Sequence, residues 1–424
     1  MSPSGGQPIP QQDRVVEQAT CLGCGCACDD IRVLVNGQRI LETTNTCALG
    51  ATWFGDGTIA TAIRVGSRTA ALDEALTAIA AMLKSAREPL VYLAPEISCE
   101  AQREATALAD RMRAVLDTIS SATVLSSILA AQERGRTTAT LGEIRQRADA
   151  IVFWGVDPGT RYPRFWTRYA PDTTGLHVEG RRGRHVVAVD VGTARGPEDA
   201  DTRVAINASE EVAFLTLLAG CLRTPVTSIG ESRDNPAAPL AARLATARYV
   251  ALIADGEPPA TSEADPAGQR DPQRAAAMIA LAQALNGPTR CALITLRAGG
   301  NRSGAEAVLT AETGFPTGVV FARGYPQYRP HDATRSADAL LVVGDAAQLP
   351  VDVLNRFAAG ARAIVGPRAS LHDAVAAIDT GVAGVHVNGT ALRMDDVPLR
   401  LRPPVSVGLD PAEVLRALRS RVVP

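Results

Sequence analysis

Lysine is almost missing from this chain: of its 43 basic residues all but Lys84 are arginine. An arginine cluster therefore carries less meaning here than in an ordinary sequence. Aromatic residues are scarce at 4%. The five histidines, His177, His185, His331, His372 and His386, stand apart, without the paired spacing of a metalloprotease helix. No Ser–His–Asp order can be assembled from the chain. Apolar runs stop short of the roughly 18 residues that a membrane helix needs, which argues against a bilayer span. The first residues lack the basic-then-apolar order of a secretion signal. A cytoplasmic protein is expected. With a net charge of -2 and no basic stripe, nothing points to a nucleic-acid partner.

What is present describes a large globular protein. The 424 residues exceed the usual single-domain length, and 46% apolar with 21% charged residues is the balance of a chain with real cores. Residues 1–12 hold almost nothing to bury and are expected to form a loose arm. Asn36-Gly37, between Ile31-Arg-Val-Leu-Val35 and Arg39-Ile-Leu-Glu42, is a two-residue hairpin signal. From about residue 70 the pattern alternates. Leu72, Ala75, Leu76, Ile79 and Leu83 keep helical spacing, and further helices are expected over 98–113, 208–222 and 273–285. Short apolar runs at 89–94, 150–154, 185–189, 249–253, 291–295, 339–343 and 363–365 read as buried strands. Strands that alternate with helices imply an α/β fold of doubly wound parallel sheets. The divisions expected are a small Cys-rich β-hairpin lobe over 13–68, α/β lobes over 69–225 and 226–370, and a C-terminal segment over 371–424. Residues 226–240 and 255–272 are the expected loops.

Five of the eight cysteines fall between residues 21 and 47. In a cytosolic protein such crowding points to metal, because disulfides are rare there. Cys21, Cys24 and Cys28 lie on a Gly-rich loop, and the hairpin that follows can return Cys47 to them. Four thiolates suit an iron–sulfur cluster or a zinc ion. Cys26 is the odd one out. Cys99, Cys221 and Cys291 fall in helix or strand patterns and read as core.

Cys21-x2-Cys24-x3-Cys28-Asp29-Asp30 followed by Asn45-Thr-Cys47-Ala-Leu-Gly50 resembles the start of the B subunit of formylmethanofuran dehydrogenase, a relative of the molybdopterin-dependent formate dehydrogenases. The resemblance continues through Ser98-Cys-Glu-Ala-Gln102, Asp149 to Pro158, Tyr162-Pro-Arg164, Ala311-Glu-Thr-Gly-Phe-Pro316, Asn388 to Met394 and Val397-Pro-Leu-Arg400. It implies a formate dehydrogenase/DMSO reductase-like fold. It also implies that Cys21, Cys24, Cys28 and Cys47 hold a [4Fe–4S] cluster, with zinc as the alternative that the spacing leaves open.

The departures from that family fall in its pterin pocket. Thr123 stands where the family has its molybdenum- or tungsten-ligating Cys or selenocysteine, Val124 where it has a His, and Leu125 where it has a Gly. A hydroxyl is a poor soft-metal ligand, and valine transfers no proton. The family's Asp-Pro-Arg becomes Asp190-Val191-Gly192, and a Gly-rich contact near Asp255-Gly256 is lost. A degenerate pocket near Trp154, Gly155, Asp157, Arg164 and Asp190, with no catalytic residue and no molybdopterin or tungstopterin, is the expectation. This pattern is similar to the B subunit of the methylotroph formyltransferase/hydrolase complex. That resemblance implies a non-catalytic subunit whose partners are an amidohydrolase-like hydrolase subunit, a formyltransferase subunit and a C-type subunit. An active molybdenum or tungsten dehydrogenase subunit and a zinc-stabilised interaction module stand as alternatives. Tyr162, Phe165, Trp166 and Tyr169 are candidate interface aromatics, with plain core as the alternative. The stretches Glu179-Gly-Arg-Arg-Gly-Arg-His185 and Arg297-Ala-Gly-Gly-Asn-Arg-Ser-Gly304 could each hold an anion or be plain loops.

Overall fold

The computed structural model describes residues 12–223, 236–256, 272–329 and 334–422. Two parallel sheets carry the molecule. The first has five strands, all parallel, in the order Thr202–Ile206, His185–Val191, Ala150–Trp154, Val250–Asp255, Cys291–Leu296. The second has nine. Its parallel centre runs Val115–Thr118, Pro89–Leu93, Ala339–Val343, Arg362–Gly366, Ala376–Asp379. Antiparallel pairs close both edges: Val319–Val320 with Gln327–Tyr328 on one side, Ile63–Val65 with Arg68–Thr69 on the other.

Every apolar run that the sequence marks as a strand is one, because a run buried on both faces can satisfy its backbone only in a sheet interior. In the five-stranded sheet Ile151, Phe153, Ile253 and Ile294 face one core. Val152, Trp154, Leu252 and Leu293 face the other, against helices Glu211–Arg223, Ala237–Ala245 and Pro272–Leu285. Helix Leu72–Ser85 buries Leu76, Ile79 and Leu83 on the larger sheet, beside helices Cys99–Met112 and Pro411–Arg421. Asp73 and Glu74 in its first turn and Lys84 in its last complement its dipole.

The sheets interleave along the chain and do not follow divisions at 68, 225 and 370. Strands between 63 and 118 join strands between 319 and 379 in one sheet, while strands between 150 and 296 form the other. Residues 237–240, expected as loop, are the start of helix Ala237–Ala245. Pro236 and Pro239 lie before and within its first turn, where proline removes no helical hydrogen bond. Residues 226–235 of that expected loop, residues 257–271 of the other, and residues 1–11 of the arm lie outside the described residues.

The Asn36-Gly37 hairpin is present as Ile31–Asn36 and Arg39–Thr44, with Gly37 at φ +58°. A third strand, Asp13–Ala19, pairs with it antiparallel. This small sheet delivers the cysteine loop onto the Ile151/Phe153 face of the five-stranded sheet. No helix among the described residues is long and apolar enough to cross a membrane.

Candidate functional site

The cysteine loop is a compact turn. Cys21 N donates to Cys28 O at 2.8 Å and Ala27 N to Cys24 O at 3.0 Å, which draws Cys21, Cys24 and Cys28 inward. All three are buried, as is Cys26. The Gly23 amide donates to Cys21 Sγ at 3.3 Å. Cys47 precedes helix Ala48–Phe54, and its carbonyl accepts from Ala51 N at 2.8 Å. That helix lies against the loop: a Cβ on Gly50 would stand 3.3 Å from Cys21 Sγ. The hairpin thus returns the fourth thiol. Burial pushes the Cys21 thiol up, and the neighbouring Cys24, Cys28 and Cys47 push it further, so the four groups sense one another. Cys26 is hydrogen-bonded to Cys24, which lowers Cys24 and raises itself.

The donor set suits a soft metal centre in its chemistry. Among the described residues, however, no three Cys, His, Asp or Glu side chains are grouped closely enough to hold a single ion. Cys99, Cys221 and Cys291 are buried, the last two in the core on the opposite face of the five-stranded sheet, while Cys99 Sγ accepts from Asn301 Nδ2 at 3.4 Å.

Two carboxylates and two guanidinium groups rim the thiols. Arg164 donates to both oxygens of Asp30 at 2.7 Å each. Arg168 donates to Asp30 at 2.5 Å and also to Asp29. Burial works against the Asp30 carboxylate, yet Arg164 and Arg168 outweigh it and hold it below its usual range. Burial raises the Cys28 thiol, and the same two arginines oppose that rise. Arg164 is therefore a clamp on the cysteine loop. No local signal joins residues 134 positions apart, which is why the pair escaped the sequence.

Of the two readings of the aromatics, interface or core, three take the core one. Tyr162, Phe165 and Tyr169 are at most 4% exposed. Phe165 lies edge-on to Phe153 at 6.3 Å, and Tyr169 OH donates to the Cys26 carbonyl at 3.3 Å. Only Trp166 is half-buried among them. They are hydrophobic because they fill the space between the cysteine loop and the sheet.

The Gly-rich turn 297–304 has a packing role. Gly300 N donates to Leu22 O at 2.8 Å and Asn301 N to Pro95 O at 2.5 Å. A Cβ on Gly299 would stand 2.7 Å from Gly23 O, and one on Gly25 would run into the Arg297 carbonyl. Its glycines are thus explained by backbone touching backbone. The C-terminal segment closes the same loop: Met394 N donates to Gly25 O at 3.3 Å, Thr20 Oγ1 to Arg400 O at 3.0 Å. Gly25→Ala is expected to cost about 1–3 kcal/mol by overpacking and to make the loop thiols react faster with a thiol reagent. Unchanged unfolding and unchanged thiol reactivity would refute this account of the turn.

In a doubly wound sheet a ligand sits at the carboxyl ends of the strands, where strand order reverses. In the five-stranded sheet that point lies between Ala150–Trp154 and Val250–Asp255. Arg161 and Asp255 form an ion pair across it. Asp157 caps the short helix that carries Arg161, accepting from Gly159 N at 2.8 Å. Gly155, at φ +61°, turns the chain there, a conformation that disfavours a side chain. Trp154 is fully buried and donates from Nε1 to Glu211 at 2.7 Å, and Glu211 is paired with Arg274 at 2.9 Å. Asp190 receives Arg203 Nη1 on both oxygens, at 2.8 and 2.7 Å, and Gly196 N at 2.8 Å. Of the expected pocket residues, Trp154, Asp157, Arg164 and Asp190 all spend their polar atoms on partners within the chain.

The larger sheet reverses between Pro89–Leu93 and Ala339–Val343. Buried Glu96 fills that point and accepts from Asp345 N, while Asp345 pairs with Arg368. Burial raises the Glu96 carboxyl to about 8. Thr123 and Val124 lie on helix Ser121–Arg134, which follows the neighbouring strand Val115–Thr118, and Val124 is buried.

A cysteine-rich hairpin lobe docked on doubly wound parallel sheets defines a class of large, multi-lobed α/β proteins. No family model matches the chain. It is 28% identical to the B subunit of tungsten-containing formylmethanofuran dehydrogenase 2 from Methanocaldococcus jannaschii, over 96% of this chain and 99% of that protein. The corresponding protein of Methanococcus maripaludis is 27% identical with the same coverage. The chain is a relative of these formylmethanofuran dehydrogenase B subunits, as its cysteine and Trp154–Arg164 motifs imply. Its fold is similar to that in a crystal structure of the formyltransferase/hydrolase complex from Methylorubrum extorquens with methylofuran. The TM-score there is 0.67 at 22% identity, over 85% of this chain and 99% of that one.

Proposed function

We propose that this chain is a non-catalytic B subunit of a cytoplasmic formyltransferase/hydrolase complex. Such a complex moves a formyl group from formyl-tetrahydromethanopterin to a methanofuran-type carrier and hydrolyses it to formate. The carrying observation is that both strand-reversal points are filled by the chain's own ion pairs and carboxylates. A pterin dinucleotide would have to break the Arg161–Asp255 pair and expel Glu96. Thr123 and Val124 at the family's ligand and His positions supply neither a soft-metal ligand nor a proton carrier. Acyl transfer and hydrolysis need no electron carrier, so the chemistry belongs to partner subunits: an amidohydrolase-like hydrolase, a formyltransferase and a C-type subunit.

In this reading Cys21, Cys24, Cys28 and Cys47 hold a structural [4Fe–4S] cluster or a zinc ion that ties the hairpin lobe to the sheets.

The test is to produce the complex with and without this chain. With it, the purified assembly is expected to contain iron or zinc but no molybdenum or tungsten. Without it, assembly and formyl hydrolysis are expected to fail together. Restoring Thr123→Cys with Val124→His is expected to yield no formate oxidation. Stoichiometric molybdenum or tungsten, or a complex running at full rate without this chain, would overturn the proposal.

A further inference from the structure

Residues 181–185 of the arginine-rich stretch form one wall of an open cleft of about 550 Å³, where the strands of the five-stranded sheet begin. This is the end opposite the strand-reversal point. The facing wall is residues 243–248, from helix Ala237–Ala245 onward. Five guanidinium groups share the cleft with two carboxylates. Arg181 takes Asp201, at 2.9 and 3.1 Å, and Arg248 takes Asp149 at 3.2 Å. Both carboxylates are thereby matched.

Three positive charges remain. Arg184 is 3% exposed, and its terminal nitrogens donate to the backbone carbonyls of Ile144, Arg145 and Thr173 at 3.2, 2.7 and 3.0 Å, and to that of Ala148. Carbonyl dipoles fix a guanidinium in place but do not cancel its charge. Its Nε is buried with no hydrogen-bond partner. Arg182 and Arg243 are exposed and have no carboxylate partner among the described residues; Arg243 reaches only Thr246 Oγ1, at 3.0 Å. Arg243 lines the cleft with His185, whose imidazole is held below its ordinary pKa by burial and then by Arg243.

We propose that this cleft is a binding site for a phosphate-bearing anion. Unmatched guanidinium groups come to it from three separate elements: the turn Arg181–Gly183, the approach to strand His185–Val191, and helix Ala237–Ala245. A tetrahedral phosphate accepts from Arg182 and Arg243 on opposite walls at once, while Arg184, whose terminal nitrogens are all taken by carbonyls, adds only its charge; a planar carboxylate serves a single fork. An anion there also relieves the repulsion that the native cleft carries alone.

Calorimetric titration of the full chain with pyrophosphate, orthophosphate and citrate at low ionic strength tests this. Saturable pyrophosphate binding is expected, with citrate at least about tenfold weaker. The double substitution Arg182→Gln, Arg243→Gln, at two exposed positions, is expected to weaken pyrophosphate at least about tenfold, the scale of losing a charge-assisted contact. Its thermal unfolding should match wild type. Absence of saturable pyrophosphate binding, equal affinity in the double variant, or citrate binding as tight as pyrophosphate would each overturn the proposal.

Discussion

Replacing Arg274 by methionine is expected to destabilise the protein by about 3–5 kcal/mol, because it strands a carboxylate in a core. Glu211 is only 4% exposed, and two interactions hold its charge: Trp154 Nε1 at 2.7 Å and the Arg274 guanidinium at 2.9 Å. Around them lie Trp154, Phe214 and Leu215, which offer no other polar group to the carboxylate. Pairing the change with Glu211→Gln removes the orphaned charge while keeping an acceptor for the indole. The double variant is therefore expected to regain most of the loss. Denaturant unfolding of the wild type, both single variants and the double variant gives the coupling directly. Equal losses in Arg274→Met and in the double variant would show that the pair contributes packing rather than charge compensation.

The pH dependence of stability should be dominated by buried acids, and in an unusual direction. The Glu96 carboxyl is raised by burial from 4.5 to about 8, and Asp117 from 3.8 to about 6. Each acid keeps its proton in the folded state at pH values where the unfolded chain has released it. The folded state then binds more protons, so stability falls as pH rises through that window. For Asp117 the fall lies between 3.8 and about 6, and for Glu96 between 4.5 and about 8. A tenfold change in acid strength on folding corresponds to about 1.4 kcal/mol, so the Glu96 contribution is of the order of a few kcal/mol. Glu96→Gln keeps an acceptor for the Asp345 amide. It is expected to match wild type near the acid end of the window and to exceed it at the alkaline end. Thermal unfolding followed across that range decides the matter: a variant with the wild-type slope would mean that Glu96 does not titrate as stated.

The elements most legible in the sequence are those whose signal is local. The apolar runs at 150–154 and 339–343, the Asn36-Gly37 turn and the C-x2-C-x3-C loop each carry their own pattern over a few residues. Strand Asp13–Ala19 has no such pattern: DRVVEQA is exposed at most positions and becomes a strand only because Ile31–Asn36 presents it with an unpaired edge. The interleaving of the two sheets is equally silent, since which parallel strand lies beside which is settled by long-range packing. The candidate site divides in the same way. Its cysteines are conspicuous, but the Arg164–Asp30, Arg203–Asp190 and Arg161–Asp255 pairs are not, because in a chain with 42 arginines no single one stands out.

The closure of the cysteine loop by the C-terminal segment sets an order of events during synthesis. Thr20 bonds to a carbonyl 380 residues downstream, and Gly25 to the amide of Met394. At about 5–20 residues per second a ribosome needs roughly 20–80 s to cover that distance. Through that interval the thiols of Cys21, Cys24 and Cys28 emerge and wait without the surface that later buries them. In the proposed reading, that interval is when a metal centre would find the three thiols most open, before the last residues arrive and shut the loop.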